Sequence, residues 1–363
     1  MKTAWKELRY HKKRYLLIEL IVILLLFMVL FLSGLVNGLG RAVSSGVENL
    51  PAEYFVLNDT SEDLITISQL SDETVDKLRT KTKDDTATLD IMRMYVTKEH
   101  EDEKLDVVYF GVEEDSFAAP TVYEGTALAD SDAKRPIVLD DDFQSEGIKL
   151  GDTIMDSASE LPLTVVGFSK DQMYSHVSVG FISHETYLEL RAATSPMPYT
   201  GTHALLVKGT DTTDLEMDGV EVVDKATIIS ALPGYQAEQA TISMVQWMLV
   251  AITAVVITIF YYVITIQKER QFGVMKAIGI SMGRISSIIF WQIFSIAMLG
   301  ALIADGLVFL MAQTLPATMP FYLQWSSIAL VTSVFVIVSV LGGLFSVLRV
   351  AKIDPVTVIG GEE

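Results

Sequence analysis

QKERQFGVMKAIGISMGR, Gln267–Arg284, is a short amphipathic segment between two long apolar runs. It carries basic residues, glycines and apolar residues at helical spacing, and it is too short and too polar to cross a bilayer. Apolar runs of roughly 20 residues cross the hydrocarbon as helices, because lipid offers no partner for open backbone groups. We therefore expect Gln267–Arg284 to be a helix at the membrane surface between two spans.

Four apolar runs are long enough to be spans, and we predict them at residues 15–36, 242–266, 285–311 and 327–348. The first is interpreted as a retained span, because its apolar part is longer than that of a signal peptide and no Ala-x-Ala site follows. The sequence thus predicts an α-helical membrane protein with four transmembrane helices. One large extracellular α+β domain, with its stalks at residues 37–241, is inserted between spans 1 and 2.

Basic residues indicate the orientation of the spans. Six Lys or Arg residues lie in the N-terminal segment 1–14, four lie in the segment 267–284, and two begin the tail 349–363. The loop 312–326 carries no charge. Since Lys and Arg accumulate on the cytoplasmic side, we expect a multi-pass protein of the plasma membrane with both termini in the cytoplasm. The N-terminal segment is expected to be amphipathic and to contact lipid.

The region expected outside the cell is strongly acidic. Between Glu48 and Glu238 there are 39 acidic and 14 basic residues, within a chain of 363 residues and net charge -19. This charge excludes nucleic acid as a partner, because phosphate binding needs basic surface. The chain has no cysteine, so the domain has no disulfides and must rest on its own core.

Short β-branched and aromatic runs predict strands in this domain, and two helices have serine N-caps at Ser71 and Ser183. The predicted strands are EYFVLN, LITIS, LDIMRMYVT, LDVVYFGV, RPIVLD, LTVVGF and HALLVKG. The sequence contains no G-x-S-x-G, H-E-x-x-H or phosphate-loop pattern, and its histidines show no metal-ligand spacing. We therefore predict a non-catalytic protein without a metal or a resident cofactor.

Three stretches resemble the permeases of the FtsX/MacB class of ABC transporters. They are KERQFGVMKAIGIS between spans 2 and 3, GIKLGDTI…LPLTVVGF…VGFISHETYLEL in the outer domain, and RVAKIDPVTVIGG at the end. Among members of the class, the chain is most similar to the heme-exporting, HrtB-like permeases of Gram-positive bacteria. The arrangement of one span, a large outer domain and three further spans is also that of the class.

The resemblance implies that the segment 267–284 is a coupling helix that docks on a separate ATP-binding subunit. That subunit binds ATP and Mg and hydrolyses the nucleotide, and two copies of the permease form a homodimer. In this sequence the coupling residues are expected to be Glu269, Arg270, Phe272, Gly273, Met275, Lys276 and Gly279. Phe272, Met275 and Ile278 are expected to form the apolar face, and Gly273 and Gly279 to let another backbone approach.

The resemblance also makes heme a possible substrate, exported or extracted from the outer leaflet. Heme iron needs an oxygen, nitrogen or sulfur ligand in an apolar slot. No histidine is expected near a span, so the candidates are Glu48, Tyr235 and Glu238, with Met244 behind them. They lie on helical extensions of spans 1 and 2.

Two acidic residues fall inside predicted spans. Glu19 is expected near the cytoplasmic face, within snorkelling reach, and Asp305 near the outer face. Each is interpreted as a structural hydrogen-bonding group, with a role in transport left open.

A second function stays open at this point. In an FtsX-like transmembrane signal transmitter, motion of the ATPase passes through the spans and controls an extracellular partner. An exposed apolar patch on the outer domain would favour that alternative.

Overall fold

The computed structural model describes residues 12–82, 85–98, 103–195, 199–209, 212, 215–316 and 319–351. The chain divides into two compact units. The helical unit comprises the chain up to Gly38 and from Ala240 onward, and the sheet unit comprises Leu39–Gln239. The predicted segment 1–14 and tail 349–363 lie mostly outside the described residues, so their expected character stays a prediction.

The helices and strands of the described chain are numbered in chain order. They are α1 (Lys12–Glu48), β1 (Tyr54–Asn58), α2 (Asp72–Lys81), β2 (Asp85–Lys98), β3 (Lys104–Val112), β4 (Glu124–Gly125), β5 (Pro136–Asp140), α3 (Asp142–Ser145), β6 (Thr153–Asp156), β7 (Pro162–Ser169), β8 (Met173–Tyr174), β9 (Val177–Ser183), α4 (His184–Thr194), β10 (Ala204–Lys208), β11 (Val220–Asp224), α5 (Lys225–Ala231), α6 (Tyr235–Gln267), α7 (Glu269–Ala277), α8 (Met282–Ala312) and α9 (Trp325–Ala351).

Four helices, α1, α6, α8 and α9, are long and apolar enough to cross a membrane. Two of them extend well beyond the predicted spans, because α1 continues to Glu48 and α6 already begins at Tyr235. The continuation of α1 to Glu48 confirms the helical extension of span 1 expected from the sequence. Helix α7 occupies the segment between the second and third spans, where a short surface helix was predicted.

The helical unit packs through narrow stripes of buried residues. On α6 the buried positions Thr253, Ile257, Tyr261 and Thr265 recur every four residues and form one face. On α9, a side chain at Gly343 would collide with Ile293 of α8. Close approach at small residues is how helices associate in lipid, where burial of apolar surface gives no advantage.

The sheet unit is built on an eleven-stranded mixed sheet. Its strand order is β11-β1-β10-β2-β3-β9-β5-β7-β4, with β6 paired to β2 and β7 and β8 paired to β9. The pairs β3–β9 and β5–β7 are parallel, and the other pairs are antiparallel. The end of α1 belongs to the same unit, and its Val43 and Val47 are fully buried in the core beside Phe110.

Most of the predicted elements of the sheet unit are confirmed, and one strand is wrong. Ser71 and Ser183 cap α2 and α4, each accepting a backbone N–H three residues later. The run LITIS forms a 3₁₀ turn at Ile65–Ile67 and not a strand. Ile65 is buried there while Ile67 is exposed, and the Ser68 hydroxyl accepts the Asn58 N–H that a neighbouring strand would otherwise bind.

Candidate functional site

The end of α1 is held by the tight turn between β8 and β9. The backbone N–H groups of Ser175 and His176 donate to the carbonyls of Val43 and Ala42, both at 2.9 Å. Both carbonyls belong to residues inside α1, so the turn adds hydrogen bonds to those that the helix already makes within itself. Both turn residues have positive φ, +48° and +63°, a conformation that is uncommon for residues other than glycine. The turn therefore holds His176 against α1.

Glu48 lies in the last turn of α1 and is the centre of a charged network. It accepts a hydrogen bond from the Ser44 hydroxyl at 2.5 Å and from Nη1 of Arg41 at 3.2 Å. Arg41 also reaches Asp171 at 3.8 Å. The carboxylate is about one-third exposed, so it is oriented by partners and still open to solvent on one side.

The start of α6 packs against the same part of α1. A side chain at Gly40 would collide with Gln239, which shows how closely the two helices approach. Tyr235 packs on the core of the sheet unit and lies within electrostatic reach of Glu48. Glu238 lies one turn further along α6, and its Oε2 is 3.3 Å from Nε2 of His176. The structure thus places Tyr235 within electrostatic reach of Glu48 and Glu238 beside His176, all within the sheet unit.

His176 is the residue that sequence reasoning missed. The expectation that no histidine lies near a span is wrong, because His176 contacts Glu238, which is only a few residues before the predicted start of span 2. The side chain is half-exposed. The docking of His176 on α1 depends on tertiary contacts that no local sequence pattern contains.

Met244, the fourth predicted residue, belongs to the helical unit, where its side chain is 60% exposed. Its place beside the other three stays a prediction.

Helix α7 presents a different face from the one expected. Phe272 is 4% exposed and Met275 is partly buried, and both pack in the core of the helical unit. The prediction that Phe272 and Met275 form the outward apolar face is therefore wrong, because these residues anchor the helix to its own chain. The exposed apolar side chains of α7 and its C-cap are Val274 and Ile278.

Gly273 and Gly279 also have structural roles within this chain, and the approach of a partner backbone to them stays a prediction. Gly273 is buried with Phe272. Gly279 has a φ of +86° and follows the C-cap, where the N–H groups of Gly279 and Ile280 donate to the carbonyls of Lys276 and Met275. These two bonds form a Schellman motif, which requires a left-handed residue and favours glycine. The glycine therefore ends the helix.

Polar residues at the start of α7 also attach this helix to its own chain and leave its opposite face exposed. Lys268, which precedes the helix, is only 6% exposed, and its Nζ lies 3.3 Å from Oε1 of Gln292 on α8. Glu269 and Lys276 are half-buried, and Arg270 and Gln271 are exposed beside Val274. The outward surface of α7 is thus a small apolar patch with a positive charge at its edge.

A cluster of three acidic residues, which the sequence did not predict as a metal site, lies at the start of α3. Asp140, Asp141 and Asp142 place one carboxylate oxygen each within 4.8 Å of the others. Burial raises the pKa of Asp140 to about 7, although it accepts the N–H groups of Gln172 and Asp142. Because Asp140 closes the turn before α3 and Asp142 accepts the Ser178 hydroxyl, we assign no metal to the cluster.

Comparison with known proteins identifies both halves of the architecture. Residues 16–223 match the family model of the MacB-like periplasmic core domain, and residues 243–355 match that of the FtsX-like permease C-terminal region. A Staphylococcus haemolyticus protein named putative hemin transport system permease protein HrtB is 30% identical over 100% of both chains. A Staphylococcus epidermidis protein of the same name is 29% identical over 99% of both chains.

Solved structures of external domains are also similar. The periplasmic region of MacB from Actinobacillus actinomycetemcomitans covers 51% of this chain and 96% of its own, with 14% identity and a TM-score of 0.36. The extracellular domain of the transporter YknZ from Gram-positive bacteria covers 48% of this chain and 99% of its own, with 12% identity and a TM-score of 0.34.

The two family models and the full-length relatives agree with the four apolar helices and with the mixed sheet between the first and second of them. The chain is a membrane protein with an extracellular domain, and it belongs to the FtsX/MacB family of ABC transporter permeases.

Proposed function

We propose that this chain is the permease subunit of an ABC transporter that exports or extracts heme from the outer leaflet, driven by a separate ATP-binding subunit. The observation that carries the proposal is the cluster of Glu48, Tyr235, Glu238, His176 and Arg41 where α1 ends and α6 begins. The names of the full-length relatives, which specify hemin transport, support the same substrate.

The chemistry of the cluster suits a metalloporphyrin. Carboxylate, phenolate and imidazole groups are all ligands that iron accepts in heme proteins or related sites. Arg41 adds a cation that can pair with a propionate of the porphyrin, since guanidinium binds carboxylates through two parallel hydrogen bonds. A substrate carboxylate would then take the place of Glu48 or Asp171 on Arg41 and free Glu48 for the iron.

The distribution of basic residues supports a definite topology. With both termini and α7 in the cytoplasm, the sheet unit lies outside the cell and the candidate site lies at the outer leaflet. A planar, amphipathic substrate that partitions into the outer leaflet would then reach the cluster sideways from the lipid.

The proposed motor is the ATP-binding subunit, which binds and hydrolyses ATP with Mg and docks on the outward patch of α7. Because α7 is fastened to its own chain through Phe272 and Lys268, a force on α7 is transmitted to α6 and α8. Four spans leave little room for a water-filled pore, so we propose that two permease copies form a homodimer and expel the substrate between them.

The substrate is tested by titrating the purified full chain in nanodiscs with hemin and following the absorbance of the bound form. We expect the triple variant Glu48→Gln, Tyr235→Phe, Glu238→Gln to bind hemin at least about tenfold more weakly, a loss of about 1.4 kcal/mol. The change removes the negative oxygen ligands and retains the volume of each side chain.

The control for this titration carries the same substitutions at exposed positions of the sheet unit, namely Glu185→Gln, Tyr95→Phe and Glu221→Gln. Equal affinity of the two triple variants and the unchanged chain would contradict the site. An absence of saturable binding in all three would contradict heme as the substrate and favour the signal-transmitter alternative.

A further inference from the structure

The two acidic side chains inside the spans differ in their partners. Asp305 on α8 accepts a hydrogen bond from the Thr332 hydroxyl of α9 at 2.9 Å, which confirms its interpretation as an interhelical hydrogen-bonding group. Glu19 on α1 has a buried carboxylate oxygen, Oε1, with no hydrogen-bond partner. A buried polar atom without a partner is costly and is retained in few places, so Glu19 needs a separate explanation.

Glu19 lies deeper in the helical unit than its position in the sequence indicates. A Cβ atom at Gly300 of α8 would lie 3.2 Å from Oε1 of Glu19 and 2.7 Å from Val22. Gly300 precedes the end of α8 at Ala312 by twelve residues, or about 18 Å along the helix. The carboxyl of Glu19 therefore packs on the middle of α8, and its distance from the cytoplasmic face of the membrane stays a prediction.

Tyr261 of α6 provides the second observation. Its side chain is 3% exposed, and its hydroxyl is buried with no hydrogen-bond partner. The hydroxyl lies within electrostatic reach of the Glu19 carboxyl. Two unsatisfied polar groups from different helices thus point into one region between α1, α6 and α8, and one of them can donate a hydrogen bond while the other is an acid.

The free-energy cost of burying Glu19 depends on whether its carboxyl is charged or neutral. An unpaired carboxylate in hydrocarbon costs several kcal/mol, and a neutral carboxylic acid costs much less. In the described part of the chain, Glu19 forms no ion pair. From α8 it faces Gly300, and from α6 it faces Tyr261, neither of which carries a positive charge. Lys268, at the end of α6, is engaged with Gln292.

We propose that Glu19 and Tyr261 form a proton-binding site inside the helical unit, in which Glu19 is a neutral carboxylic acid while α1 packs on Gly300. The bound proton is shielded from water by Val22 and by α8. It exchanges with solvent when α1 separates from α8, so the site links protonation to the packing of these helices. The site is independent of the substrate and of the candidate residues at the end of α1.

The site is tested by the reactivity of the acid toward two carbodiimides in the full chain, in nanodiscs at neutral pH. Dicyclohexylcarbodiimide dissolves in lipid and reacts with protonated carboxylic acids. The acid proton passes to a carbodiimide nitrogen, the carboxyl oxygen bonds to the central carbon, and the acyl group then migrates to nitrogen, so the whole reagent is added. We expect the Glu19 peptide to gain this mass at least about tenfold faster than with a water-soluble carbodiimide.

Substitutions test whether the labelled residue is Glu19 and whether Tyr261 belongs to the site. Asp305→Asn should leave labelling of Glu19 unchanged, and Glu19→Gln should remove it. Tyr261→Phe should change the labelling rate of Glu19 by about threefold or more, because it deletes the neighbouring hydroxyl. The matched change at the exposed neighbour, Tyr262→Phe, should not alter the rate.

Two results would overturn the proposal. Labelling of Glu19 by the water-soluble reagent at the same rate would show a hydrated site, and labelling by neither reagent would show a carboxylate without a proton. If Tyr261→Phe and Tyr262→Phe behave alike, Tyr261 does not belong to the site.

Discussion

We expect the Ile278→Asp variant to lose binding of the proposed ATP-binding subunit, with co-purification reduced by more than about thirtyfold. Ile278 is the C-cap of α7 and is 72% exposed, and Val274 lies on the same face one turn earlier. Ile278 and Val274 form an exposed apolar pair on the surface proposed to meet the ATP-binding subunit, and docking would bury their apolar area. A carboxylate at the place of Ile278 would enter an apolar pocket without a counter-ion, which costs more than the loss of the contact alone.

The measurement is a pull-down of the tagged chain with a co-expressed ABC ATP-binding subunit in mild detergent. Ile67→Asp is the matched control, because Ile67 is 61% exposed but lies in the sheet unit. Phe272→Asp should behave differently from both. It places a charge in the core of the helical unit and should lower the amount of folded protein in the membrane. Retention of the ATP-binding subunit by Ile278→Asp would contradict the docking surface.

We expect Asp90→Ala to destabilise the sheet unit by about 3–5 kcal/mol, the usual result of removing one partner from a buried ionic network. Asp90 on β2 is fully buried. It accepts hydrogen bonds from Nδ1 of His184 at 2.8 Å, from the Tyr199 hydroxyl at 3.0 Å and from the backbone N–H of His203 at 3.0 Å. Alanine would leave these donors without an acceptor and would also leave a cavity.

The charge of Asp90 is held by its donors. Burial is the largest single influence and favours the neutral acid, but the hydrogen bond from His184 and the electrostatic influence of His184 and His203 together outweigh it and keep the pKa of Asp90 below its ordinary value. Nδ1 of His203 also lies near the carboxylate, yet this nitrogen accepts the N–H of Ile91 and therefore has no proton to donate. The network thus joins β2, α4 and the start of β10 through one ionised side chain.

Hydrogen exchange in the full chain measures this effect without isolating the sheet unit. Amides of β2 and β10 should exchange about a hundredfold to several thousandfold faster in Asp90→Ala, since each 1.4 kcal/mol is a factor of ten. Asp106→Ala on the neighbouring strand β3 is the control, because Asp106 is exposed and its ion pair with Arg93, at 3.4 Å, lies at the surface. Unchanged protection of β2 and β10 in Asp90→Ala would show that the network does not hold the sheet.

Local sequence patterns predicted an element well where a single physical property of its residues determines the structure. The apolar runs gave the four long helices, and Ser71 and Ser183 gave the starts of α2 and α4. LITIS failed because alternation of apolar and polar residues does not provide a neighbouring strand. Its Ser68 binds a backbone group of β1 instead.

The functional surfaces were predicted less completely, because they depend on contacts distant in sequence. Helical spacing placed Phe272 and Met275 on one face of α7, but spacing does not specify whether that face meets the same chain or a partner. His176 reaches Glu238 through a turn docked on α1, and Glu19 meets Gly300 through the packing of α1 on α8. Tertiary structure alone determines each of these pairs.

ATP hydrolysis by the proposed ATP-binding subunit, reconstituted with the chain in proteoliposomes, tests the central claim most directly. The account predicts that hemin stimulates hydrolysis only when both subunits are present and that Ile278→Asp in the permease removes the stimulation. Hemin clearance from the liposomes by the permease without a nucleotide-hydrolysing subunit, or full stimulation in the presence of Ile278→Asp, would contradict it.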